Sequence, residues 1–261
     1  MYRIQNTYGQ NLQDGPRPSD KVFQDLLVQS GSWYELPQKA PLCFFDSALH
    51  SELGVAAGPL LDSRWIKRCA DLGYGILSYK TVRTQTYPSH PLPNIAYLDV
   101  LNRLSPGNSV SDELVTPIAM TSRSRLTITN SFGMPSQPPK DWMADMEIAK
   151  GYLHSAQLLA VSVVGTPPCD TTPTKLDALA RDYARCGAMA REAGADLIEA
   201  NLSCPNTSEG EGDLYTDPQA AETVMRTMTR QIPNVPLGVK LGYFDNLDTS
   251  LHRFHSQYQC C

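Results

Sequence analysis

Apolar residues along this chain fall into two patterns that take turns. Short, compact apolar runs occupy residues 54–58, 75–82, 158–165, 197–202 and 236–241; the first and third end in glycine, and the others are followed at once by Arg83, Ser203 and Gly242. They predict five strands. Between them, apolar positions recur every three or four residues. Leu61, Trp65, Cys69 and Leu72 predict one helical face, stopped by Gly73. A second helix is predicted over roughly 141–157. Leu176, Leu179, Tyr183, Cys186, Ala190 and Ala193 give the clearest stripe, and Gly194 closes it. Asp217 followed by Pro218 predicts a capped start for a helix whose stripe is Ala221, Val224 and Met228.

The segments outside this alternation set the organisation. Residues 1–40 are polar and turn-rich and read as an N-terminal extension; 41–250 form the main domain; 251–261 read as an irregular tail. Residues 83–136 are a long polar excursion, rich in proline and serine, with room for small strands of its own. Strands alternating with amphipathic helices imply α/β architecture with parallel βαβ units. A doubly wound sheet and a (β/α)8 barrel both fit. No GxGxxG or P-loop follows a strand, and polar strand ends favour the barrel, whose sites lie at the C-terminal ends of its strands.

Composition narrows the chemistry. The chain has 261 residues, 41% hydrophobic, with net charge -5 and pI about 5.5. Without a run of Lys or Arg, it does not read as a binder of nucleic acid or of anionic membrane. No apolar run approaches the roughly 20 residues of a membrane span, and the N-terminus lacks a signal-like apolar core. The expectation is a soluble, cytoplasmic protein. Seven cysteines, odd in number and without a CxxC pair, indicate neither a disulfide framework nor a zinc site. His252, His255, Cys260 and Cys261 match no standard metal spacing.

The strand over 197–202 is the informative one. Alternation puts Leu197, Glu199 and Asn201 on one face and the apolar Ile198, Ala200 and Leu202 on the other. Asn201 therefore points towards the barrel mouth, and the chain continues Ser203-Cys204-Pro205-Asn206-Thr207. A turn capped by Asn201 and Asn206 is the plainer reading of these residues. A site holding a flat polar ligand beside a cysteine base is the other, since a thiol's ordinary pKa of about 8.5 is readily tuned. Lys80 and Lys240 lie in apolar strands, where a cation needs an anionic or polar partner. That partner is a shared electron-rich ligand or a carboxylate such as Glu199, unless the stems snorkel.

"NLSCPNT" at 201–207, "NSFGMPS" at 130–136, "PLGVKLGYFD" at 236–245, and "GVAAG" with "YKT" between 54 and 81 resemble, in order and spacing, the motifs of dihydroorotate dehydrogenases. The resemblance covers about residues 45–250. It implies an FMN-binding (β/α)8 TIM barrel of the FMN-linked oxidoreductase type, with about five of the eight βα units legible here. It implies oxidation of dihydroorotate to orotate in pyrimidine (UMP) biosynthesis. Ala57, Gly58, Lys80, Thr81, Asn130, Asn201 and Lys240 would contact FMN. Lys80, Asn130, Gly133, Met134, Asn201 and Asn206 would contact substrate, and Cys204 would be the base that takes the C5 proton.

A cysteine base resembles the soluble class of the family rather than the serine-base, quinone-using class. The wording "PLGVKLGYFD" leans towards the fumarate-using branch; a homodimer is a separate expectation. Asn206 after Pro205 favours dihydroorotate over a related pyrimidine-reducing domain, which has histidine there. Two departures keep other readings open. Phe132, Met134 and Ser136 stand in "NSFGMPS" where the family's usual sequence is Asn-Ser-Met-Gly-Leu-Pro-Asn, and the change at Phe132 leaves room for another cyclic substrate. The family's last three strands and their FMN-phosphate turns find no counterpart, so an inactive partial barrel with an interaction role is the further alternative.

Overall fold

A computed structural model describes residues 42–91, 94–100, 115–117, 127–167, 175–204 and 213–242. The expected extension over 1–40, the tail over 251–261 and Asn206 lie outside these residues. The strands are β1 (Leu42–Phe44), β2 (Ser47–Leu49), β3 (Gly54–Val55), β4 (Ile76–Val82), β5 (Ile95–Val100), β6 (Val115–Pro117), β7 (Thr127–Asn130), β8 (Leu158–Val163), β9 (Leu197–Asn201) and β10 (Leu237–Lys240). The helices are α1 (Ser63–Asp71), α2 (Pro139–Gly151), α3 (Lys175–Glu192) and α4 (Pro218–Gln231).

The five strands expected from the apolar runs form one parallel sheet in the order β10-β9-β8-β4-β3. A helix lies in the chain between each successive pair, the βα succession of a (β/α)8 barrel carried through five strands. The excursion over 83–136 supplies a separate antiparallel sheet, β6-β5-β7, ahead of α2. β1 and β2 form a small antiparallel hairpin before the barrel strands. Among the described residues no helix is long and apolar enough to cross a membrane.

Two helices match their stripes closely. Leu179, Tyr183, Cys186, Ala190 and Ala193 of the α3 segment are buried, and so are Ala221, Val224 and Met228 of α4. The Asp217 carboxylate accepts from the backbone N–H of Gln219 and Ala220 with Pro218 in the first turn, as the sequence predicts. Gly73 and Gly194 both take positive φ where their helices stop.

Other boundaries differ for local reasons. In α1 the buried side chains are Ser63, Ile66 and Ala70, while Leu72 is exposed and Trp65 and Cys69 are half-buried. The stripe expected through Trp65 and Leu72 is thus rotated. Ser63 fixes that rotation, its N–H and hydroxyl both donating to the Asp145 carboxylate of α2, at 2.7 and 2.6 Å. α2 begins earlier than expected, with Pro139 in its first turn, and stops at Gly151 rather than 157. Beyond it Gln157 folds back, accepting from His154 N–H at 2.8 Å and donating to the Ala70 and Tyr74 carbonyls. β3 pairs over only two residues, after which Lys80 N–H donates to Leu60 O at 2.9 Å.

Candidate active site

The alternation read in β9 is present in the structure. Ile198, Ala200 and Leu202 are fully buried in the hydrophobic core. Asn201 is buried on the opposite face, where it lines a cleft of about 210 Å³. The cleft lies at the C-terminal ends of the parallel strands, as the barrel architecture requires. Pockets that enclose a whole drug-sized ligand run from about 300 Å³ upward. The present cleft matches part of one, such as the edge of a planar ring.

Ala57, Gly58, Lys80, Thr81, Asn130, Met134, Asn201, Cys204 and Lys240 all line this cleft. Gly133 sits in the chain between two further lining residues, Phe132 and Met134. Of the residues expected at the site, only Asn206 lies outside those described. Sequence reasoning did not single out Pro135 or Ser203, which line the cleft too. Ser203 was legible in principle, since it stands inside the same polar strand end.

Each wall has its own structural cause. Lys80 and Thr81 are consecutive, and an unbroken strand would turn one of them away. The β4–β8 ladder, however, pairs Tyr79 with Val161 and then Val82 with Val163. Two residues therefore oppose the single Ser162, a bulge that lets both side chains face the cleft. Thr81 Oγ1 donates to Ser162 Oγ at 3.0 Å. Lys80 Nζ donates to Thr81 O at 3.1 Å. Burial pushes the Lys80 pKa down to about 7; the charge interaction with Cys204 opposes that shift, and the charges of Arg83 and Lys240 add to it.

The Asn201 amide is tied on both sides. Its Nδ2 donates to Met134 Sδ at 3.4 Å and, more weakly, to Thr81 Oγ1 at 3.5 Å, while Oδ1 accepts from Ser203 N–H at 3.3 Å. Its carbonyl accepts from the buried Tyr183 hydroxyl of α3 at 2.8 Å. The opposite wall is the turn at 132–135. Gly133 and Met134 both have positive φ, 78° and 51°. A Cβ on Gly133 would stand 2.5 Å from the His90 ring, so this position requires glycine twice over.

Three observations bear on what the cleft can hold. The Ser203 hydroxyl is buried and has no hydrogen-bond partner among the described residues. Gly58 has φ 142°, and a Cβ built on it would meet nothing within 4 Å, so its backbone is open to close approach. Two lysines of the cleft supply positive charge. A hydroxyl, bare backbone, carboxamides and ammonium groups suit a flat ligand edged with carbonyl oxygens and ring nitrogens, and FMN fits that description. Among the described residues no group of three or more His, Cys, Asp or Glu could hold a metal.

A family model for dihydroorotate dehydrogenase matches residues 42–249. The chain belongs to the dihydroorotate dehydrogenase family. The dihydroorotate dehydrogenase of Dictyostelium discoideum is 32% identical over 255 residues, covering 95% of this chain and 65% of that protein. A putative dihydroorotate dehydrogenase A (fumarate) of Aeropyrum pernix is 33% identical over 66 residues, 25% of this chain and 21% of its own. Two crystal structures of dihydroorotate dehydrogenase (DHODH) from Eimeria tenella share the fold. The one in complex with ferulenol has TM-score 0.55 at 16% identity, covering 89% of this chain and 54% of that one. The ligand-free one has TM-score 0.56 at 15% identity, covering 87% and 54%. The chain thus spans about two thirds of the Dictyostelium relative and about half of these structures. Its fold is a partial (β/α)8 barrel of the dihydroorotate dehydrogenase family.

Arg83, near the site, is a further residue that sequence reasoning missed. It is fully buried. Its Nε donates to Met134 O at 3.2 Å, and Nη1 to Gly165 O and Thr166 Oγ1 at 3.3 and 3.1 Å. The signal was present, a cation one residue beyond an apolar strand, next to the feature that singled out Lys80 inside it.

Proposed function

We propose that this chain carries the FMN-dependent oxidation of dihydroorotate to orotate in pyrimidine biosynthesis. The observation that carries the proposal is the convergence of four separate sequence motifs on one cleft, with Cys204 beside Asn201, Lys80 and Met134. Family membership supports it.

Ala57, Gly58, Thr81 and Lys240 would hold FMN, together with Lys80, Asn130 and Asn201. When bound, FMN supplies the acceptor for the C6 hydride of dihydroorotate. Cys204 takes the C5 proton, which completes the ring double bond of orotate. Asn130, Asn201 and the turn at Gly133 and Met134 orient the pyrimidine and its carboxylate, and Asn206 belongs to the same set. Lys80 and Lys240 offset the negative charge that builds in the cleft as the hydride is taken up. The name of the Aeropyrum relative supports fumarate as the electron acceptor.

Purified chain loaded with FMN, freed of unbound flavin and mixed anaerobically with dihydroorotate should lose its visible flavin absorbance. Cys204→Ala should keep the colour and fail to bleach on the same timescale. Unchanged bleaching in that variant would remove Cys204 as the base.

A second reading rests on Phe132, which lines the cleft where the family's usual residue is methionine. On that reading the substrate is a different cyclic compound. Flavin that stays oxidised with dihydroorotate but is bleached by another dihydropyrimidine would favour it.

A further inference from the structure

The Gly133–Met134 turn forms one wall of the cleft with two successive residues in left-handed backbone, the second of them not glycine. Such a conformation persists only where its surroundings hold it. The surroundings here converge on Arg83. Its guanidinium bonds to the Met134 carbonyl on one side and to Gly165 and Thr166, just past β8, on the other. Its backbone N–H donates to Ser136 Oγ at 3.0 Å, and the Tyr87 ring stacks over its guanidinium at 4.0 Å. Tyr87 and Ser136 in turn exchange backbone hydrogen bonds at 3.0 and 2.9 Å. On the cleft side of the same turn, Met134 Sδ accepts from the Asn201 amide.

We propose that Arg83 is a positioning residue for the reaction proposed above: it fixes the Met134 turn and, through the Met134 thioether, the rotation of the Asn201 carboxamide that faces the ligand. The inference rests on that functional reading for its purpose but not for its geometry. The planar fork of donors bridges the turn and the β8 end from two separate nitrogens. Lysine, with one nitrogen, keeps the charge and loses the bridge. Leucine at 134, the family's usual residue, keeps the volume and loses the acceptor.

Amide hydrogen exchange of the ligand-free chain tests the geometry. Arg83→Met and Arg83→Lys should each speed exchange at Tyr87, Ser136 and Ser203 by roughly tenfold, with α3 and α4 unchanged. Met134→Leu should speed Ser203, whose N–H bonds to Asn201 Oδ1, and leave Ser136 at its original rate. A folded Arg83→Lys chain with unaltered exchange at Ser136 and Ser203 overturns the proposal, even if Arg83→Met fails to fold. Uniform acceleration throughout the helices overturns it too, because it would reveal a general structural role. FMN and orotate are titrated into the same variants, and affinity should fall about tenfold or more in both Arg83 variants. Unchanged affinity there would also overturn the positioning role. If the unsubstituted chain binds neither compound, the functional reading fails, and the exchange pattern still decides whether Arg83 fixes the turn.

Discussion

Lys80 and Thr81 are neighbours in sequence, yet both face the same cleft, because together they oppose the single Ser162 across the β4–β8 ladder. An extended strand sends adjacent side chains to opposite faces. The bulge trades one ladder step for two functional side chains at the same depth.

This placement makes Lys80 a pH-sensitive element. Its folded pKa is pushed down to about 7 by burial, whereas an unfolded lysine keeps its proton to about 10.4. Between those values the unfolded chain binds more protons, so this group makes stability rise with pH. The penalty is fully present below about 7 and fully relieved above about 10.4. Urea unfolding should show a slope approaching ~1.4 kcal/mol per pH unit in the middle of that window. The slope is read as the difference from Lys80→Met, which cancels the other titrating groups. A zero difference across the window would contradict it.

Asp145 secures the outer side of the same strand. It accepts from Ser63 N–H, Ser63 Oγ and, at 2.7 Å, the Tyr79 hydroxyl. Tyr79 is buried, and that burial, with the Asp145 charge beside it, holds its pKa well above the ordinary range. Asp145→Ala leaves the Tyr79 hydroxyl and the first turn of α1 without their acceptor. The expected loss is about 2–4 kcal/mol in urea unfolding, since hydrogen bonds to charged groups contribute about 1.5–3 kcal/mol each and are not additive. A change under 1 kcal/mol would show that the node relaxes onto other acceptors.

Gly133→Ala meets two obstacles, a left-handed backbone and the His90 ring. The backbone cost alone is about 1–2 kcal/mol. The double variant Gly133→Ala/His90→Ala should recover the steric part and leave the backbone part. Equal losses in the single and double variants would mean that His90 swings clear at no cost.

The cysteines should separate by reactivity. Cys186 is fully buried on α3, donates to Val82 O, and has its pKa raised far above the usual range by burial and by the charge of Asp182. Cys204 lines the cleft and is half-buried. Mass mapping after brief thiol alkylation of the native chain should find Cys204 modified and Cys186 intact. Added FMN with orotate should slow the modification of Cys204. Labelling of Cys186 as fast as Cys204 would contradict the packing described here.

The parts of this molecule that could be read from sequence are those with a repeating cause. The α3 and α4 stripes, the alternation in β9 and the Asp217 cap each follow from a local period or a local bond. Asn201, Cys204, Lys80 and Lys240 were legible because polar groups stand in or at the ends of apolar strands, whereas Ala57, Gly58, Thr81, Asn130, Gly133 and Met134 came from the resemblance to the family. What escaped depends on distant partners. Ser63 turns α1 because Asp145 waits 82 residues away, and nothing in the α1 sequence announces it. Arg83 likewise draws its meaning from Met134 and Gly165, which approach it only after folding. The bulge at Lys80 and Thr81 is a property of pairing with β8, and a single strand does not reveal it.

The cleft's two walls come from different sheets. Cys204, Asn201, Lys80 and Lys240 stand on or just beyond parallel strands, whereas Asn130 ends a strand of the antiparallel sheet and Phe132 to Pro135 follow it. Among the described residues no ladder joins the two sheets; near the turn they meet through the Arg83 side chain and the isolated Tyr87–Ser136 bridge. The position of the turn wall therefore depends on a few bonds such as those of Arg83, whereas the chemistry-bearing wall is set by ladder register.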